Sequence, residues 1–146
     1  MKTVSISGSK RENVGKKDAK LMRATSKVPC VLYGGKEQVH FSINEKEINK
    51  LLYTPNTYLI NLDIDGQKYN TIIKDKQFHP VTDKTLHVDF FEIFDDKKVK
   101  VSVPLRIEGV SPGVLKGGKL VVKLRRLNIF ALPSHLPDEI VSDISK

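Results

Sequence analysis

Apolar and polar residues alternate in short runs through the first 95 positions, and this period of two predicts β-strands. The runs lie at residues 3–7, 28–33, 38–43, 57–74 and 85–94. Asp65-Gly66 interrupts the fourth run, which predicts a hairpin with a two-residue turn at positive φ. After the third run, Asn44 can cap a short helix whose apolar stripe is Ile48, Leu51 and Leu52. About six strands and one or two helices predict a small six-stranded β-barrel, which leaves no loose sheet edge.

The last third of the chain shows a second set of β signals. Residues 95–98 (DDKK) read as a junction, and residues 99–108 then alternate between apolar and polar positions. A turn-rich stretch follows, then the strand candidate LVVKLRRLNIFAL at 120–132 and one more short strand near the end. We therefore predict a mainly β protein, with a barrel domain at 1–95 and a second small β-rich domain at 96–146.

Positive charge is concentrated near the start of the chain. Nine Lys or Arg residues face two acidic ones within residues 1–36, so that this quarter carries +7 of the net +8. The stretch GSKRENVGKKDAKLMRATSK (8–27) has no apolar stripe, and we expect a loop that becomes ordered on contact. A basic block of this kind neutralises phosphates and predicts nucleic-acid binding. The alternative is a solvated basic tail.

Signals for an enzyme or a metal site are weak. GVLKGGK (113–119) has the glycine and lysine spacing of a phosphate loop, but Leu120 stands where Mg²⁺ needs a hydroxyl, so a plain turn is favoured. The four histidines are scattered, and the single cysteine, Cys30, has no partner for a zinc site or a disulfide. We predict no catalytic residues, no metal and no cofactor. With no apolar signal core and no membrane-length apolar run, we expect a cytoplasmic protein.

RNA recognition needs cations for phosphates, planar groups for stacking and polar groups for base edges and 2′-hydroxyls. Arg11 and the basic stretch supply the first, and Tyr33, followed by two glycines that let a nucleic-acid backbone approach, can supply the second. His87 and Asp89 lie two residues apart, hence on one strand face, and can supply the third. Tyr33 as a core residue and His87 as an ordinary surface residue remain alternatives.

Two segments of the sequence resemble a known family. RENVGKKDAKLMRATSKVPCVLYGGKE and QFHPVTDKTLHVDFFEI are similar to the L-twenty-five family of bacterial large-subunit ribosomal proteins. The segment from KVKVSVPLRIEGVSPGVLKGGKL to LPSHLPDEIVSDIS resembles the start of the extra domain in the longer relatives of the CTC or general-stress type. Those relatives continue through more strands, so we expect the second domain here to be incomplete.

The resemblance implies a barrel that docks on the loop E region of 5S ribosomal RNA, mostly through a widened minor groove, as a monomer beside neighbouring large-subunit components. Position by position, it implies RNA contacts from Arg11, from the basic stretch of Lys16 to Arg23, and from Tyr33, His87 and Asp89. With the neighbouring Lys10, Gly34 and Lys36 added, the predicted RNA-binding residues are Lys10, Arg11, Lys16, Lys17, Lys20, Arg23, Tyr33, Gly34, Lys36, His87 and Asp89. At Lys20 the family commonly has arginine, and lysine keeps the charge but loses the planar fork. The alternative function is a stress-related protein-interaction module with incidental RNA binding.

Overall fold

A closed barrel of six strands forms the first part of the computed structural model, which describes residues 1–146. The barrel strands are β1 (Thr3–Lys10), β2 (Lys27–Tyr33), β3 (Val39–Asn44), β4 (Leu59–Ile64), β5 (Gln67–Phe78) and β6 (Thr85–Glu92). Around the barrel they follow the order β1-β3-β2-β6-β5-β4, and the parallel pairing of β1 with β4 closes it. The predicted six-stranded barrel is therefore confirmed.

One set of alternating side chains from each strand fills the barrel. Cys30, Phe41, Ile60 and Phe90 are completely buried there, each on a different strand. Helix α2 (Glu45–Leu52) adds two further buried side chains, Ile48 and Leu52, to the same cluster. The opposite set of side chains, one residue out of phase, is left on the outer surface of the barrel.

The predicted helix start at Asn44 and the predicted hairpin turn at Asp65-Gly66 are both present in the structure. Asn44 Oδ1 accepts a hydrogen bond from the backbone N–H of Lys46 at 2.9 Å and so caps α2. Asp65 and Gly66 have φ values of 49° and 90°, as the turn between β4 and β5 requires. Both predictions are confirmed.

The basic stretch forms a helix, so the expected loop at 8–27 is wrong. Strand β1 runs on to Lys10, and helix α1 spans Lys16–Ala24. None of the residues of α1 is buried, which explains why no apolar stripe marks it in the sequence. Lysine, alanine, leucine, methionine and arginine are nevertheless good helix formers, and they dominate KKDAKLMRA.

A three-stranded sheet follows the barrel. Its strands are β7 (Val99–Glu108), β8 (Arg126–Ala131) and β9 (Ile140–Asp143), in the order β8-β7-β9, with a short helix α3 (Pro112–Leu115) before β8. Val99, Val101 and Val103 of β7 form a small buried cluster with Ile72 of β5 and Leu136. The second sheet thus packs on the outer side of β5.

The predicted strand at 120–132 is too long. Pairing with β7 begins where Arg125 O accepts from the N–H of Leu105 at 2.9 Å, and residues 120–125 form no strand. Val121 and Leu124 are 67% and 64% exposed, so these apolar side chains have no partner surface to hold them in a strand. No helix of the structure is long and apolar enough to cross a membrane.

Candidate nucleic-acid interface

A continuous row of side chains crosses the outer face of β3, β2, β6 and β5. The strand registers place His40 opposite Val31, Val31 opposite Asp89, and Asp89 opposite Asp75. His87 lies two residues before Asp89 on the same face, because Val88 between them is completely buried. The polar side chains of this face stand on paired strands. The buried core on the other side of the strands holds them in place.

The side chains of His87 and Asp89 are in direct contact. His87 Nδ1 lies 2.7 Å from Asp89 Oδ1, and both side chains are about one third exposed. The contact fixes the orientation of the imidazole and leaves Nε2 as the second polar atom of the ring. The prediction that the two residues share one face of a strand is confirmed.

Helix α1 places three cations beside this face. Lys16, Lys20 and Arg23 have the i, i+4, i+7 spacing of one helical stripe. All three line an open depression of about 850 Å³, which His87 and Asp89 also line. Arg23 Nη1 also donates to Leu86 O at 3.4 Å, which ties the end of the helix to β6. Helix α1 therefore places three positive charges near the partly buried side chains of His87 and Asp89.

Arg11 lies beneath α1, with a side chain that is only 4% exposed. Its guanidinium pairs with Asp18 of α1, and its Nε donates to Asp18 Oδ2 at 3.2 Å. The backbone N–H of Arg11 donates to His40 O at 2.9 Å. Arg11 thus joins the barrel to the helix that carries Lys16, Lys20 and Arg23, and its guanidinium N–H groups face Asp18.

Tyr33 shares the outer face with Val31, but it does not line the depression. Its ring packs edge-on against Phe91, with centroids 5.5 Å apart. Burial, and then the charges of Asp89 and Asp75, raise the pKa of Tyr33, so its hydroxyl stays protonated as a donor at neutral pH.

Two features require glycine at position 34: its backbone conformation and the neighbouring ring of Phe91. Its φ is 97°, a region that side chains disfavour, and an added Cβ would lie 2.7 Å from Phe91 Cε2. The space beside this glycine is therefore occupied by a ring of the protein, whereas the sequence suggested that it receives a nucleic-acid backbone.

The other cations predicted from the sequence lie elsewhere. Lys10 is exposed at the end of β1, and Lys36 is exposed after the Tyr33-Gly34 bend. Lys17 is on α1 but outside the stripe of Lys16 and Lys20, about 100° around the helix from Lys16. The structure thus brings together six of the predicted residues around the depression: Arg11, Lys16, Lys20, Arg23, His87 and Asp89.

Several residues of the depression escaped the sequence analysis. Gln38, just before β3, His40 from β3 and Gln77 from β5 add amide and imidazole groups to its wall. The alternation in β3 contained this information, since Val39, Phe41 and Ile43 define an inward face and put His40 outside. The pairing of β3 beside β2 and of β5 beside β6 was needed to bring these residues to one surface.

Comparison with known proteins agrees with this architecture. The family model described as the Ribosomal L25p family matches residues 6–90, which cover more than half of the chain. The chain belongs to the Ribosomal L25p family. A second model, described as Ribosomal protein TL5, C-terminal domain, matches residues 98–146. The resemblance noted in the sequence is thus confirmed, and membership makes the chain a ribosomal protein rather than an enzyme.

Curated relatives are similar along the whole chain. Large ribosomal subunit protein bL25 of Amoebophilus asiaticus is 47% identical over 145 residues, which are 99% of this chain and 74% of the relative. The proteins of the same name from Christiangramia forsetii and Cytophaga hutchinsonii are each 45% identical over the full chain, covering 67% and 76% of their own lengths. A bacterial ribosomal protein works in the cytoplasm, which confirms the predicted location.

Proposed function

We propose that this chain is a structural protein of the large ribosomal subunit and that its barrel binds the loop E region of 5S ribosomal RNA. The relatives are named as large-subunit proteins, which supports the first part. One observation supports the second: the helical stripe of Lys16, Lys20 and Arg23 lines the same depression as the contacting pair of His87 and Asp89. This arrangement combines phosphate contacts with groups that can read an RNA groove.

The minor groove of an RNA helix is wide and shallow and displays 2′-hydroxyls and base edges. A protein must bring both donors and acceptors to that surface. Asp89 accepts from a base amine or a 2′-hydroxyl, while His87 Nε2 and the hydroxyl of Tyr33 extend the polar row. The lysines on α1 approach the flanking phosphates and release counterions.

The buried ion pair gives Arg11 a positioning role in this proposal. Because its side chain is 4% exposed and faces Asp18, Arg11 acts by holding α1 on the barrel. Lys10, Lys17 and Lys36 lie outside the depression and are proposed as peripheral phosphate contacts, whereas the space beside Gly34 is filled by Phe91, so Gly34 is proposed only to shape the bend that precedes Lys36. We further propose that residues 1–95 and 96–146 are separate domains, with the RNA site on the first and neighbouring ribosomal components as the partners of the second.

Binding of the intact chain to 5S ribosomal RNA and to an unrelated hairpin of similar length, at about 50 and 200 mM salt, tests the proposal. We expect tight binding to 5S RNA that survives at the higher salt, and weak binding to the hairpin that does not. Equal and steeply salt-dependent binding to both would instead favour a protein-interaction module with incidental RNA binding.

The double variant Lys16→Gln/Lys20→Gln tests the helical stripe. It should weaken 5S RNA binding and make the slope of log affinity against log salt shallower by about 2, one unit for each lost phosphate contact. Lys46→Gln/Lys50→Gln is the matched control, since it makes the same charge change at the same spacing on α2. Equal losses in both variants would contradict a localised site.

The variant Asp89→Asn distinguishes recognition of the RNA groove from general electrostatic attraction to RNA. The change removes a negative charge, so a purely electrostatic surface would bind both RNAs more tightly. If Asp89 accepts hydrogen bonds from the groove and orients His87, the variant binds 5S RNA more weakly while binding to the hairpin does not fall. A rise in affinity for both RNAs would contradict the proposed role of Asp89.

A further inference from the structure

A second basic cleft lies between the barrel and the following sheet, away from α1. It has a volume of about 460 Å³ and is lined by four cationic residues, Lys74 and Lys76 from β5, Lys100 from β7 and Arg126 from β8. Asp75 is the single acidic residue on its wall. The charge of this cleft is thus strongly positive, although neither β5 nor β7 is notably basic on its own.

None of the four cations forms a salt bridge within the chain. Arg126 instead donates to neutral oxygens: Nη1 to Pro55 O at 2.8 Å, and Nη2 to Ser102 O at 2.6 Å and to Thr57 Oγ1 at 2.9 Å. Nε also donates to Ser102 Oγ at 3.2 Å. These bonds fix the guanidinium rigidly across the cleft while leaving its charge without a counter-ion.

The two lysines of β5 that line the cleft are also held by hydrogen bonds to backbone carbonyls. Lys76 Nζ donates to Leu52 O at 2.9 Å, and Lys74 Nζ donates to Lys100 O at 3.0 Å. Each ammonium has three N–H groups, so each retains donors for a further partner. A register shift between Ile73 and Asp75 leaves Lys74 as an extra residue in β5, and such a bulge redirects side chains at the edge of a site.

The charged form of Lys76 is disfavoured at this position, first by burial and then by a neighbouring cation. Burial and then the charge of Arg126 lower the pKa of the Lys76 ammonium. An anion beside Lys76 would stabilise its charged form and so oppose both effects. Asn128 also lines the cleft and adds a neutral amide donor.

We propose that the cleft between β5, β7 and β8 binds a phosphate group, held by Arg126, Lys76 and Lys100. A phosphate is small compared with 460 Å³, so the cleft also admits the sugar to which it is attached in a nucleic-acid backbone. The phosphate of an RNA strand and free inorganic phosphate offer the same chemistry to these donors. The inference does not depend on the proposed 5S RNA site, because it uses none of the residues of that site.

Lysine acetylation by an activated acetate ester, followed residue by residue with mass spectrometry on the intact chain, tests the cleft. Only the neutral amine reacts, and a bound anion raises the pKa of the lysine beside it, so phosphate should slow the reaction. We expect inorganic phosphate, compared with chloride at equal ionic strength, to slow acetylation of Lys76 and Lys100 by about fivefold. Lys68, near the start of β5 and outside the cleft, should react at an unchanged rate.

Lys100→Gln should raise the phosphate concentration that protects Lys76 by at least threefold, whereas the control Lys68→Gln should leave it unchanged. The side chain of Lys100 makes no hydrogen bond, so this variant preserves the network around Arg126. The same reaction with 5S RNA in place of phosphate distinguishes the two sources: protection by RNA alone assigns the cleft to a nucleic-acid phosphate, and protection by both assigns it to phosphate in general. Protection by neither, or equal slowing at Lys68, would overturn the proposal.

The variant Lys16→Gln/Lys20→Gln tests the phosphate cleft independently of the proposed 5S RNA site. Its cleft is intact, so inorganic phosphate should still protect Lys76 even when binding to 5S RNA is lost. Loss of phosphate protection in this variant would show that the slowing came from the barrel surface, and the cleft proposal would fail.

Discussion

Gly34→Ala provides a direct test of how the end of β2 is built. The φ of 97° costs an alanine about 1–2 kcal/mol relative to glycine. The added Cβ would also lie 2.7 Å from Phe91 Cε2 and 2.9 Å from Phe91 Cδ2, closer than carbon atoms approach. Displacing a packed ring in this way costs about 1–3 kcal/mol more. We therefore expect Gly34→Ala to lower the free energy of unfolding by about 2–5 kcal/mol.

Gly66→Ala is the matched control, because the φ of Gly66 is 90° and no atom lies within 4 Å of its added Cβ. It should lose only the backbone contribution, about 1–2 kcal/mol. Urea denaturation with unchanged m-values measures both losses. Adding Phe91→Ala should recover part of the Gly34→Ala loss as a coupling energy. Equal losses in the two glycine variants, without coupling to Phe91, would refute the assignment of the extra cost to the ring.

Two further changes test the anchoring of α1 and the core of the barrel. Asp18→Asn removes the partner of the buried Arg11, and we expect a local loss of about 1–3 kcal/mol, seen as faster amide hydrogen exchange in α1, together with weaker 5S RNA binding although net charge becomes more positive. Unchanged exchange would show that α1 is held by other contacts. Burial raises the pKa of the Cys30 thiol above its usual 9.0, so the protonated form is favoured in the fold and stability is lost as pH rises through the unfolded value. Relative to Cys30→Ala, the chain should lose about 1.4 kcal/mol per pH unit above about pH 9, and a constant difference would contradict the burial of the thiol.

The barrel could be predicted from sequence because its information is local. Alternation marks each strand, Asp65-Gly66 marks a turn that needs positive φ, and Asn44 marks the start of a helix. The order of strands around the barrel is not local in this sense. The parallel pairing of β1 with β4, which closes the barrel, joins residues more than 50 positions apart and leaves no signal in either strand.

Helix α1 shows where pattern reasoning fails. An amphipathic stripe is the usual sign of a helix, but α1 docks through the ion pair of Arg11 with Asp18, which lies outside that pattern. The cations at 16, 20 and 23 could be counted in the sequence, yet their alignment on one side follows only from the helix. The residues from 120 to 125 show the opposite error, because a strand-like sequence found no strand to pair with.

The acidic residues of the candidate interface distinguish recognition from attraction. A surface that only neutralised phosphates would gain from every added cation, and Asp89 beside Asp75 on neighbouring strands would weaken it. Here Asp89 contacts His87, is about two thirds buried, and lies on the row of side chains that faces away from the core. Its carboxylate therefore repels a phosphate and attracts a hydroxyl or amine donor, so in the proposed complex we expect the groove of the RNA rather than its backbone to lie over Asp89. The lysines of α1 lie to one side of that point, where a flanking backbone would pass, and this division of charge explains why specificity and affinity are expected to depend on different residues of one surface.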